Sequence, residues 1–204
     1  MVMVLVLHVM VRVLLKMIKL KDLITEAQLS KYQIFSPGTG GSTYDFVWKK
    51  VPKPGQIRIY NMYDARGKCI NKPYGSFWTS SYKEKYKGSE WTDWKKKKHP
   101  TWVSGMGAVF EVQSGVKILK IKSHNDYLKI QKKYPMKLGK FGYEDDFNCP
   151  SGDLYVDWPS IAKKYDGLQL AGSSMMIPML GQWDVESTAW FKMKNLKFVG
   201  TAKV

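Results

Sequence analysis

The chain has 204 residues, 33 of them lysine or arginine and 17 aspartate or glutamate, for a formal net charge of +16. Hydrophobic residues make up 44% and aromatic residues 14%, which excludes a disordered chain and provides for a substantial core in one domain. The two cysteines, Cys69 and Cys149, exclude a disulfide framework, and with His8, His99 and His124 they show no metal-ligand spacing. A reduced, cytoplasmic monomer without metal is the expectation.

Met1 to Leu15 is a run of valine, leucine and methionine interrupted by His8 and Arg12. It is shorter than the ~20 apolar residues of a spanning helix. It also lacks the basic start and small-residue cleavage site of a secretory signal. Residues 1–16 read as an added strand or as an extension translated from an upstream start, with a membrane anchor third and the working domain over 17–204.

From Met17 the pattern predicts an amphipathic helix over about 18–31, then the loop Ser36-Pro37-Gly38-Thr39-Gly40-Gly41-Ser42-Thr43. No Gly-Lys-Ser/Thr follows to open a helix, so this is not a phosphate loop. A strand is predicted over 56–63, a turn-rich stretch over 64–75 and a second strand over 76–79. A helix over about 82–97 places Trp91 and Trp94 on one face. Strands at 108–112 and 117–121 are joined by a Ser114-Gly115 turn. Ser123 caps a helix that Pro135 ends, and Asp157-Trp158-Pro159-Ser160 opens another after a loop holding Glu144, Asp145 and Asp146. A strand over 165–170, a loop over 171–182 and strands at 184–191 and 196–199 complete the chain. Short strands with a few interspersed helices make an α+β fold, not an alternating doubly wound one.

Two features stand out chemically. Lys95, Lys96, Lys97 and Lys98 form the densest basic run, just after Trp91 and Trp94. Such a field attracts phosphate polymers, and lysine favours non-specific phosphate contact over base reading; a solubilising surface is the plain alternative. Asp184 and Glu186 alternate along a strand and so share a face. Paired carboxylates repel, which is costly unless they are solvated at a strand end or used by a site.

Ile57-Arg58-Ile59-Tyr60, then Phe77-Trp78-Thr79-Ser80-Ser81, then Asp184-Val185-Glu186 resemble, in order and spacing over about 55–200, the Arg-Ser-Glu class of ADP-ribosyltransferases. The chain's character is also similar to bacteriophage and toxin-like proteins. The resemblance implies a split β-sheet core with flanking helices and NAD as the ADP-ribose donor. Glu186 would stabilise the oxocarbenium-like centre left when nicotinamide departs, and Asp184 would take the acceptor's proton. Arg58 would clamp the pyrophosphate or ribose, with Asn61 or Arg66 as alternatives for its place. Ser80 or Ser81 would orient Glu186, with Thr79 beside them, and Trp78 or Tyr82 would stack on nicotinamide or serve as core. The residues between 167 and 186 would form the substrate-recognition loop. Arginine-modifying members carry Glu where this chain has Asp184. The acceptor is therefore expected to be a nucleobase in RNA or DNA, guided by Lys95 to Lys98, with a protein side chain as the alternative. Two other readings stand beside it: a non-catalytic basic nucleic-acid-binding protein, and a nuclease holding Mg²⁺ on Asp184 and Glu186.

Overall fold

A computed structural model describes residues 30–37, 50–53, 55–63, 69–83, 88–102, 105–136, 155–171, 183 and 185–204. The N-terminal extension, the helix expected over 18–31, the acidic loop, the 172–182 loop and Asp184 lie outside these residues. Nine strands and three α-helices alternate irregularly among the described residues, an α+β arrangement. No helix among them is long and apolar enough to cross a membrane.

The strands are β1 (Tyr32–Phe35), β2 (Tyr60–Tyr63), β3 (Cys69–Tyr74), β4 (Phe77–Ser81), β5 (Met106–Val112), β6 (Ile118–Ile121), β7 (Gly167–Leu170), β8 (Ser187–Trp190) and β9 (Leu196–Lys203). Seven form one sheet in the order β6-β7-β8-β4-β1-β5-β9, and β2 and β3 pair separately. All neighbours are antiparallel except β6 and β7. That parallel pair is bridged by helices α2 (His124–Lys133) and α3 (Trp158–Lys164), as a parallel connection requires. Helix α1 (Glu90–Lys98) lies between β4 and β5 in the chain.

Local chemistry sets the helix ends. Ser89 and Thr92 form a reciprocal capping box on α1. Ser123 accepts from the Asp126 N–H to start α2, and Asp157 accepts from Ser160 with Pro159 in the first turn of α3. The α1 helix begins at Glu90, later than the 82 expected, because β4 runs on to Ser81 and the cap sits at Ser89.

One face of the sheet carries the largest apolar cluster among the described residues. Leu119, Ile121, Leu168, Leu170, Ala189 and Phe191 pack there against Tyr127 and Ile130 of α2 and Trp158 and Ile161 of α3. The other face begins apolar, with Phe77, Phe110, Ile118 and Trp190 in one cluster. It then turns polar toward the end of β4 and the start of β8.

One strand expectation is corrected, and β1 was not foreseen. β1 falls between the helix expected over 18–31 and the loop expected from Ser36, where no element was read, and it lies between β4 and β5 in the sheet. The Ser114-Gly115 turn lies between β5 and β6 as expected, with Gly115 at φ 76°, and the two strands do not pair with each other. β5 joins β1 and β9, whereas β6 joins β7. Residues 56–59 are extended but unpaired, so Arg58 precedes β2 and lies on no strand. Its carbonyl crosses closely over Gly75, whose φ of 81° no side chain would tolerate there.

A buried carboxylate at the end of the serine strand

Strand alternation builds the site. Phe77, Thr79 and Ser81 of β4 share a face with Thr188 and Trp190 of β8, because Thr79 pairs with Thr188 and Phe77 with Trp190. The pairing of Gln169 with both Thr188 and Lys120 extends that row across β7 and β6. Gln33, paired with Ser81, extends it into β1. Five strands thus contribute a polar row in which Gln33, Thr79, Gln169, Glu186 and Thr188 are all buried.

Glu186 sits where the β4–β8 ladder stops. Ser81 would be its partner two residues beyond Thr79, but the Ser81 N–H donates to Glu186 Oε2 at 2.9 Å instead of to a carbonyl. Ser80 Oγ donates to the same oxygen at 3.0 Å. Ser81 Oγ and Gln169 Nε2 donate to Oε1 at 2.9 and 2.8 Å. A carboxylate buried without such donors would cost several kcal/mol, on the order of the effective penalty for a desolvated ion. With two on each oxygen it is fixed in place. Ser80 Oγ also reaches the Glu186 carbonyl at 3.1 Å, so the serine strand holds both ends of the residue.

A chain of hydrogen bonds ties this carboxylate to the core. Trp190 Nε1 donates to Thr79 Oγ1 at 2.7 Å, and Thr79 Oγ1 donates to Gln33 Oε1 at 2.8 Å. Gln33 Nε2 then donates to Ser81 Oγ at 3.2 Å. Two polar atoms of the row remain without a partner among the described residues, Thr188 Oγ1 and Gln169 Oε1. Both lie on the face that carries Glu186, and such orphans are rare because each costs about 1–3 kcal/mol. Lys120, half-buried on the next strand, has its pKa lowered by burial and by Lys122, with the Glu186 charge pulling the other way. A second carboxylate arrives from α1, where exposed Glu90 accepts from the Glu186 N–H at 3.2 Å.

The sequence-derived candidates divide cleanly. Glu186, Ser80 and Ser81 are brought together. Thr79 serves the support chain rather than the carboxylate. Trp78 points to the opposite, apolar face, where it packs edge-on against Trp183 at 4.7 Å beneath the Lys72 ammonium. Tyr82 also lies on that side, packed near Ile34, Val109 and Val204 and lining an open groove of about 310 Å³ with Tyr32 and Val199. Both rings pack against core clusters, the alternative the sequence had offered for them. The Arg58 side chain is exposed, and no hydrogen bond or ion pair joins it to this cluster. The strand beside the serines carries Gln33, paired with Ser81. Asp184 lies outside the described residues.

The lysine run is corrected as well. Lys96, Lys97 and Lys98 are exposed, but Lys95 is only 1% exposed. Its Nζ donates to Ser36 Oγ and to the Pro37 carbonyl, and burial, helped by the Lys96 charge, lowers its pKa to about 8. Lys95 anchors α1 to the end of β1 and cannot follow a phosphate backbone.

Gln33, Gln169, Thr188, Lys120 and Glu90 were not foreseen. The only signal for the first three was an uncharged polar residue inside an apolar strand, which periodicity treats as noise. Among the described residues no group of three or more His, Cys, Asp or Glu gathers as a metal site would. Comparison with protein-family models, with curated protein sequences and with solved structures finds no match to this chain.

Proposed function

We propose that the chain is an NAD-dependent ADP-ribosyltransferase of the Arg-Ser-Glu kind whose acceptor is a nucleobase in RNA or DNA. The observation that carries this reading is the immobilised Glu186 carboxylate, held by consecutive serines at the end of β4. NAD supplies the ADP-ribosyl group when bound. The polar row fits its ribose end: Glu186 offers negative charge to the sugar carbon, and the orphan Thr188 hydroxyl and Gln169 carbonyl offer partners to sugar hydroxyls. The row does not supply the pyrophosphate clamp assigned to Arg58, so that part of the resemblance has no support among the described residues. Asp184 keeps its assignment to the acceptor's proton by resemblance alone, and Glu90 is a second carboxylate within reach of the same backbone. The +16 charge disfavours basic protein targets and favours nucleic acid.

The test is incubation with labelled NAD and separate pools of protein, RNA and DNA. Wild-type protein is expected to release nicotinamide and label nucleic acid. Glu186→Gln keeps the side chain's size and is expected to lose about 10²-fold or more of turnover while still unfolding cooperatively. Near-wild-type turnover in that folded variant removes Glu186 from the chemistry, and labelling confined to protein overturns the acceptor.

One observation favours a second reading. Both oxygens of Glu186 already hold two donors, which would also suit a purely structural joint in a non-catalytic nucleic-acid-binding protein. Oligonucleotide binding without nicotinamide release would decide for it.

A further inference from the structure

Four aromatic rings outside the core form a continuous ladder along α1 and the 3-10 helix that follows it, Pro100–Trp102. Trp91 and Trp94 stack at 4.9 Å with planes 15° apart. Trp94 meets His99 at 4.9 Å, and His99 stacks on Trp102 at 4.1 Å and 14°. None of the four belongs to the three apolar clusters among the described residues, and each keeps part of its surface in solvent. Large rings left half-exposed forgo the burial that would normally justify them.

The charge around the ladder is polarised. Glu90 and Asp93 occupy the first turn of α1, while the exposed Lys96, Lys97 and Lys98 crowd its last. Favourable interaction with the helix C-terminus is worth about 0.3–1 kcal/mol and falls off within one turn, so it accounts for one lysine better than for three in succession. Two stacked pairs of rings, tilted 48° to each other where Trp94 meets His99, on a helix with exposed ammonium groups suit a polymer that alternates flat bases with phosphates. The platform is fixed relative to the Glu186 site by the same helix. Its first residue, Glu90, bonds the Glu186 N–H, and at ~1.5 Å per residue the helix ends within about 15 Å of it.

We infer that Trp91, Trp94, His99 and Trp102, with Lys96, Lys97 and Lys98, form a stacking platform for a single strand of nucleic acid. This deepens the acceptor half of the function proposed above, but binding at the platform does not require transfer at Glu186. Duplexes hide their base faces, so single strands are preferred. The lysines make binding fall as salt rises.

The experiment is a titration of the full chain with a fluorescently labelled 12-nucleotide single strand, without NAD, read by anisotropy and by quenching of tryptophan emission. Single strands are expected to bind at least ten-fold tighter than a duplex of equal length and to quench the emission. Lys96→Glu/Lys97→Glu/Lys98→Glu, all at exposed positions, is expected to weaken binding at least ten-fold. Trp94→Ala and Trp102→Ala are expected to weaken it about five-fold or more and to reduce the quenching. Trp94→Phe, which keeps a ring, is expected to recover part of the affinity. Glu186→Gln, measured in parallel, is expected to bind like wild type, which separates failure of the platform from failure of the transfer chemistry. Equal affinity for duplex without quenching, unchanged affinity in the lysine variant, or tighter binding to a polyglutamate peptide or to vesicles of anionic lipid overturns the platform.

Discussion

The two faces of the main sheet solve different problems with the same strands. On the helix-covered face β6, β7 and β8 present Leu119, Ile121, Leu168, Leu170 and Ala189, with Ser187 at the end of β8. On the other face the same three strands present Lys120, Gln169 and Thr188 one residue away. The first face gains from burial alone. The second buries groups that must find partners, and two of its atoms do not. Stability is concentrated on one side of the sheet, and the other side spends some of it on geometry.

Substitutions can sharpen that contrast, and the largest effect belongs to the residue joining the two regimes. Trp190 is fully buried in the apolar part of the polar face and donates to Thr79 at the head of the support chain. Trp190→Ala is expected to cost about 3–5 kcal/mol in urea unfolding. A loss under about 1 kcal/mol would mean the chain does not rest on this residue.

Next comes Lys95. Its amine titrates near pH 8 when folded and at the ordinary 10.5 when unfolded. Below pH 8 it is charged in both states. Between about 8 and 10.5 the unfolded state holds the extra proton, so stability rises with pH across that window, by at most about 1.4 kcal/mol per pH unit. Unfolding of wild type and Lys95→Met at pH 7, 8, 9 and 10 isolates this contribution as a difference. Parallel pH dependences in the two proteins would show that the lysine does not titrate there.

The smallest effect has the opposite sign. Thr188→Val removes a buried hydroxyl without a partner, and stability is expected to rise by about 1 kcal/mol while turnover of NAD falls. A destabilised Thr188→Val protein would show that the hydroxyl is satisfied after all, and the contrast between the faces would weaken.

What the sequence revealed follows the same division. Helices α2 and α3 were legible because their caps and prolines are local signals at fixed offsets. Strands β4, β5, β7 and β9 were legible from apolar runs. β1 was not, since a four-residue strand with a buried glutamine carries too little periodicity to outweigh the helical pattern before it. β3 hid behind Lys72-Pro73, which reads as a turn. Glu186 and its serines were found because acid and hydroxyl residues at a strand end are conspicuous. Trp78 and Tyr82 were read as stacking residues or as core, because alternation tells which residues share a face, whereas only the neighbouring strands tell what each face packs against. Lys95 fell inside a run of identical residues, where composition cannot separate the one that turns inward.

The pairing of β4 with β8 has a temporal meaning. Ser80 and Glu186 are 106 residues apart, and β8 follows the parallel β6–β7 pair and its two helices in the chain. At synthesis rates of about 5–20 residues per second, the serine strand waits roughly 5–20 s for its glutamate. Throughout that interval the edge of β4 destined for β8 has no partner, and the carboxylate does not yet exist. Whatever chemistry the site performs is therefore withheld from nascent chains and appears only when nearly the whole sequence has emerged. Contacts of such long range also form slowly, which lengthens the interval before Glu186 meets its serines.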